Sequence, residues 1–487
     1  MDLTNSVVWF AIALVFIIAV TAKIAIGRTM FDPICKRPCP PLVNSGSLIK
    51  LLLTKGPQAM IRDQHKKLGS VFTVSFFGLK VTFLVGPEAS GHFYQGLESE
   101  ISHGNTFEFL VPIFGKEVGY GVDIPTRTEQ MQFYNEALKL STRRSNVDPM
   151  VKEVEDYFSK WGQHGVVDLK HEFDKLIMLI SSRCLLGKEV REKMFGEVYM
   201  LFRELYNGMH LTSVLFPYAP SPVNRRRDRA RSKLAKILVD IVRSRNAASS
   251  NQAERDVLQT LIDSKYKDGR STTEAEVTGF IIMLLFGGNH TSSVTSTWTG
   301  ACLLSHESCL AAVVEEQKKI IGKYGNHVDY NALQEMNTLH CCIKETLRMH
   351  PVQPINLRKV HKNFTVRTRE GNEYGIPRGH TLASPVLYNN SLPHIYKDPD
   401  AYDPDRFSVG REEDRVGGKF SYTSFGGGRH RCVGEAYAYM QIKVIWSHLL
   451  RNFELKLVSP FPKTNWSKLV PEPKGKVMVS FKRVAAA

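Results

Sequence analysis

The sequence predicts a mainly α-helical fold with small β-sheets, carried behind one N-terminal transmembrane helix. Three observations lead there. Helical periodicity dominates from about Glu129 to Arg245 and returns as a single run of about thirty residues after Thr273. Short β-type runs, Ser70–Val74, Lys80–Val85 and the alternating stretch Lys359–Pro385, are too brief for more than small sheets. Val7 to Ala22 is an almost unbroken apolar run that, with Ile24 to Ile26, reaches the roughly 20 residues a membrane helix needs. At 487 residues, 43% hydrophobic and 23% charged, the chain can bury a large core. With no internal repeat or low-complexity linker, the expected organisation is residues 1–28 as membrane anchor, 29–45 as proline-rich hinge and 46–487 as one large unit.

The N-terminus carries Asp2 and no basic residue before the apolar run, whereas Lys23, Arg28, Lys36 and Arg37 follow its start. This argues against a cleaved signal peptide and places the rest of the chain in the cytosol. On that side the four sequons, at Asn289, Asn363, Asn389 and Asn465, go unused. Arg37-Pro38-Cys39-Pro40-Pro41 then stiffens the connection. The net charge of +16 calls for acidic partners. With no zinc-finger spacing or aromatic-basic recognition motif, nucleic acid is set aside in favour of a membrane surface and an acidic redox protein. Eight scattered cysteines make no disulfide framework.

Residues 100–125 are aromatic and irregular, with Phe107, Phe109, Phe114 and Tyr120. Leu211 to Pro222 is an apolar, proline-bearing loop, followed by the basic run Arg225 to Arg231, which reads as a solvated helix face. Thr273-x-x-Glu276 is a capping box opening the long helix, about 45 Å to His306. The adjacent Gly287 and Gly288 each cost that helix about 1 kcal/mol relative to alanine, so something else needs the room. Glu345 and Arg348, spaced to share a helix face, pair with each other and with a third charge. A helix from Glu435 to about Arg451 and a strand over Val477–Phe481 complete the chain.

The run Phe425-Gly426-Gly427-Gly428-Arg429-His430-Arg431-Cys432-Val433-Gly434 sets one cysteine among glycines and basic residues. Positive charge and free amides favour the thiolate, the form that ligates metals, and glycine lets the backbone approach a flat macrocycle. No Gly-Lys-Ser/Thr follows, which sets aside a phosphate-cradling loop. Phenylalanine seven before the cysteine, glycine four before and glycine two after resemble the signature of the cytochrome P450 superfamily; His430 stands where most members carry arginine. The resemblance covers essentially the whole chain. It implies the P450 fold and haem b with Cys432 as axial ligand. Tyr120, Arg127, Arg358, Phe425 and His430 are implied as cofactor-binding, and Glu345, Arg348 and Arg406 as a structural lock. It also implies O2 activation at Thr291 with His290 as proton donor, electrons from NADPH–cytochrome P450 reductase, and an endoplasmic reticulum membrane location. A non-catalytic haem electron carrier or sensor fits less well, since a carrier needs no groove at Gly287-Gly288 with Thr291.

Within that superfamily, His290-Thr291-Ser292 and His430-Arg431-Cys432 resemble the sterol 14α-demethylases, and Lys267–Val277 resembles their plant members. Retained Phe109 goes with 4-monomethyl sterols such as obtusifoliol. Departures cluster in the pocket: Phe107 stands for a tyrosine, Gly287 for an alanine, and Val352-Gln353-Pro354-Ile355-Asn356 for a largely apolar run. If buried, the Gln353 and Asn356 amides would each cost about 1 to 3 kcal/mol without a partner. Phe107, Phe109, Gly287, Gln353 and Asn356 are therefore read as the substrate wall. The resemblance then implies oxidation of a pentacyclic triterpene such as β-amyrin in saponin synthesis, with sterol 14α-demethylation as the alternative.

Overall fold

The computed structural model describes residues 37–76, 79–209, 211–247 and 256–484. The expected anchor, residues 1–28, and the first part of the hinge lie outside the described residues. The rest of the hinge is docked: Leu42–Asn44 form strand β1, Pro41 O accepts from Thr73 N at 2.8 Å and Pro38 O from Gly375 N at 2.9 Å.

The elements that position the site are nine helices: α1 (Ser45–Leu68), α2 (Gly86–Gln95), α3 (Ile124–Ala137), α4 (Leu169–Ser181), α5 (Phe195–Asn207), α6 (Pro222–Ala247), α7 (Glu274–Ser305), α8 (Asn337–Met349) and α9 (Glu435–Asn452). Strands β2 (Val71–Phe76), β3 (Leu79–Leu84), β4 (Ile101–Ser102), β6 (Asn356–Val360) and β9 (Thr381–Ser384) join β1 in a six-stranded mixed sheet, ordered β1-β2-β3-β9-β6-β4. β5 (His164–Asp168) lies in a three-stranded sheet beside β13 (Met478–Arg483), which in turn pairs with β10 (Phe453–Leu457). Two hairpins, β7 (Phe364–Arg367) with β8 (Glu373–Ile376) and β11 (Thr464–Asn465) with β12 (Glu472–Pro473), complete the sheets. β5 interrupts the stretch expected to be helical, because its pairing partner lies at the far end of the chain.

Helix α7 begins as its capping box demands: Thr273 Oγ1 accepts from Glu276 N, and Glu276 Oε2 accepts from Thr273 N at 2.8 Å. Among the described residues it alone is long and apolar enough to cross a membrane, yet most of that stretch is buried, so it is the core helix. Three of its threonine hydroxyls bond one turn back, Thr295 to Thr291 O, Thr297 to Ser293 O and Thr299 to Thr295 O, each 2.8 Å.

The basic run is not a simple solvated face. Arg225, Arg226 and Arg229 are exposed, but Arg227 is 1% exposed and donates to Pro217 O, while Arg231 donates to Ile113 O and Phe114 O. These two arginines tie α6 to neighbouring segments. The preceding loop contains a short helix, Leu211–Leu215, and exposes Phe216 and Tyr218.

Candidate active site

The cysteine loop folds as its glycines require. Gly428 sits at φ +58°, where an added Cβ would collide with the Tyr94 carbonyl oxygen of α2. Cys432 N donates to Phe425 O at 2.9 Å, and the Phe425 ring packs on Tyr439 of α9 at 5.3 Å between centroids. Cys432 remains exposed. The expected electrostatic help is weaker than the sequence implies. Arg431 gives both Nε and Nη2 to Glu435, at 2.6 and 3.0 Å, and Arg429 turns to Gln95 O. Crowding of the loop pushes the thiol up, Glu435 adds to this, and the backbone N–H groups with Arg431 only partly oppose it. Thiolate character at Cys432 therefore depends on ligation itself, since a metal-bound thiol is deprotonated outright.

Beside this loop is a cluster rich in cations. Arg127 Nη2 lies 3.2 Å from Glu98 Oε2, and its guanidinium stands 6.0 Å from the centre of the Tyr120 ring. His430 Nε2 lies 2.9 Å from Glu98 Oε1, but without the alignment of a hydrogen bond. Arg358, 6% exposed at the middle of β6, spends Nη1 on Leu357 O and leaves Nε buried without an acceptor. Burial pulls Arg358 down to about 10, and burial raises Tyr120. Glu98 is the carboxylate bridging the group; burial pushes its pKa up, but His430, Arg127 and Arg358 together hold it below the usual carboxylate range. Donors left over in a buried, positively charged place fit an anionic group. A haem with its two carboxylates fits this cluster, and the Cys432 loop fits its iron. The sequence-expected residues Tyr120, Arg127, Arg358, Phe425 and His430 thus gather around one region. Glu98 was not foreseen, since nothing in its local sequence marks it.

On α7, Gly287 is exposed, and a Cβ at Gly287 or Gly288 would meet nothing within 4 Å. The helix stays continuous there, with Thr291 Oγ1 donating to Gly287 O at 2.6 Å. His290 faces elsewhere. It lines a cavity of about 310 Å3 with Asn289, Lys170, Tyr206 and Glu472, which Thr291 does not line. The Tyr206 ring lies 4.3 Å from its own, Glu472 Oε2 is 3.6 Å from Nε2, and Glu472 Oε1 accepts from Lys170 at 2.9 Å. Burial lowers His290 to about 4, with Glu472 opposing and Lys170 and Lys468 assisting, so at neutral pH it is a neutral acceptor. His290, expected as proton donor beside Thr291, is thus a neutral imidazole on a cavity that Thr291 does not line.

Of the expected substrate wall, Phe107 and Phe109 stand together with ring centres 6.3 Å apart, and Phe107 stacks on Tyr120 at 5.2 Å. Gln353 is exposed and Asn356 half-buried in a backbone pair with Ser384, so neither bears the cost of a fully buried amide.

Glu345, Arg348 and Arg406 form the foreseen lock. Glu345 Oε1 accepts from Arg348 Nη2 at 2.9 Å, Arg406 Nε at 3.0 Å and Asp403 N at 3.0 Å, and Oε2 accepts from Arg348 Nε at 2.7 Å. A fourth member was missed: Glu413 takes Arg406 Nη1 at 2.6 Å.

A family model for cytochrome P450 matches residues 37–479. The obtusifoliol 14-alpha demethylase of Sorghum bicolor is 55% identical over 90% of this chain and 88% of its own. The sterol 14-demethylase of Arabidopsis thaliana is 54% identical over 91% and 90%, and the lanosterol 14-alpha demethylase of Homo sapiens 34% identical over 88% and 83%. The retinoic acid-bound structure of cyanobacterial CYP120A1 superposes with a TM-score of 0.78, covering 92% of this chain and 100% of that one at 20% identity, a likeness of fold alone.

Proposed function

The chain belongs to the cytochrome P450 family and is a haem monooxygenase, and from that premise we propose that it oxidises the 14α-methyl group of a 4-monomethyl sterol such as obtusifoliol. The observation that carries this reading is the 54–55% identity to plant 14-demethylases across nine-tenths of the chain. β-Amyrin-type triterpenes are the competing substrate, favoured by the open space at Gly287 and by Phe107. Purified enzyme with plant NADPH–cytochrome P450 reductase should consume obtusifoliol and leave β-amyrin unchanged, and expression should rescue a strain lacking sterol demethylase. Oxidation of β-amyrin without rescue would overturn the sterol reading.

When bound, the haem supplies the iron at which O2 is activated, and a Cys432 thiolate donates electron density that favours O–O cleavage. Arg358, His430 and Arg127 would hold the haem through its carboxylates. Thr291 Oγ1, rotated from Gly287 O, can hold a proton-delivering water at the open Gly287 face. His290 stands at the cavity on the other side, where it passes protons only as a weak base. The exposed Phe216 and Tyr218 offer an apolar patch suited to a lipid surface, in keeping with the apolar residues 7–26 as anchor in the endoplasmic reticulum membrane. Thr291→Ala should retain haem and substrate binding while product formed per NADPH falls about tenfold, the remainder appearing as peroxide. An unchanged product-to-NADPH ratio would remove Thr291 from proton handling.

A further inference from the structure

His103 is the unassigned member of the cationic cluster. It lies in the turn after β4, and its backbone carbonyl accepts from Thr106 N. Its ring meets three neighbours edge-on: Phe107 at 5.2 Å, Tyr120 at 5.7 Å and His430 at 5.2 Å between centres. Its Nδ1 is buried without a partner, as is Arg358 Nε, whereas His430 Nε2 at least has Glu98 Oε1 2.9 Å away. Two orphaned nitrogens, Arg358 Nε and His103 Nδ1, call for an acceptor that the protein does not provide, because a buried donor left unmade costs about 1 to 3 kcal/mol. Glu98, the carboxylate that bridges Arg127 and His430, is itself already engaged.

We infer that His103 donates a hydrogen bond to a haem carboxylate, supplying beside Tyr120 the donor that the phenyl ring of Phe107 cannot give. Phe107 stacks on Tyr120 and carries no polar atom, whereas His103 packs against both rings. Burial first, then Arg358, His430 and Arg127, hold the imidazole down to about 2, so it is neutral and keeps one N–H to give. The inference rests on haem binding and is independent of which sterol or triterpene is oxidised.

His103→Phe keeps an aromatic ring for packing and removes the nitrogens. The ferric variant should lose haem to excess apomyoglobin about tenfold faster than the parent, while the red-shifted carbon monoxide band is kept because Cys432 is untouched. Adding Phe107→Tyr to the same chain restores an O–H beside Tyr120 and should bring the rate back to within about twofold of the parent. An unchanged rate in His103→Phe would overturn the assignment. So would faster loss that Phe107→Tyr does not correct, since that pattern marks a packing role. Failure of obtusifoliol turnover leaves these haem-transfer rates unaffected, so the two readings fall separately.

Discussion

Cys432→His abolishes the red-shifted Soret band of the reduced carbon monoxide complex and takes monooxygenase activity with it. The change keeps a metal-ligating side chain in the loop but exchanges an anionic sulfur for a neutral nitrogen, which donates less electron density for O–O cleavage. The loop itself should survive, because its shape is set by Gly428 against Tyr94, by Cys432 N on Phe425 O and by Phe425 on Tyr439, none of which uses the sulfur. Haem content measured beside the spectrum separates loss of ligand from loss of fold. A variant that holds haem and retains the red-shifted band would remove Cys432 as the axial ligand.

Arg406→Leu should cost about 3–5 kcal/mol of stability, the range for breaking a buried ion pair from one side. Arg406 is fully buried between Glu345 at 3.0 Å and Glu413 at 2.6 Å and also donates to the Lys397 and Ala401 carbonyls. Its removal strands charge and carbonyls together where water cannot replace it. Arg411→Leu is the comparison: Arg411 reaches Asp403 and the same Glu413, but it is 39% exposed, so its loss should cost under about 1 kcal/mol. Denaturant midpoints of the two variants decide the matter, and equal shifts would mean that the lock contributes little.

The sequence made legible those features whose chemistry is local. The capping box fixes the start of α7, Glu345 and Arg348 meet across one helical turn, and the cysteine loop announces itself by spacing. Partners from remote segments were invisible. Glu98 reaches His430, Glu413 reaches Arg406 and Glu472 reaches His290 only through the tertiary fold, and the immediate neighbours of these glutamates give no hint of it. Arg227 and Arg231 were misread for a related reason: a run of arginines looks solvated until the backbone carbonyls that bind two of them are known. Likewise β5 lacks any signal without β13 beside it.

The six-stranded sheet carries a consequence for how the protein is made. β3, complete by Leu84, pairs with β9, which begins only at Thr381, and β4 waits for β6. At usual synthesis rates roughly 15 to 60 seconds pass between the emergence of the two halves. Meanwhile β3 has β2 along one edge and nothing along the other, and the segment from Glu98 to His103 has nothing to face. Arg358 comes shortly before β9, and His430 and Cys432 emerge later still. Haem loading therefore waits for the Cys432 loop, late in synthesis, and a nascent chain stalled before Thr381 presents an unpaired apolar strand edge, a natural target for chaperones.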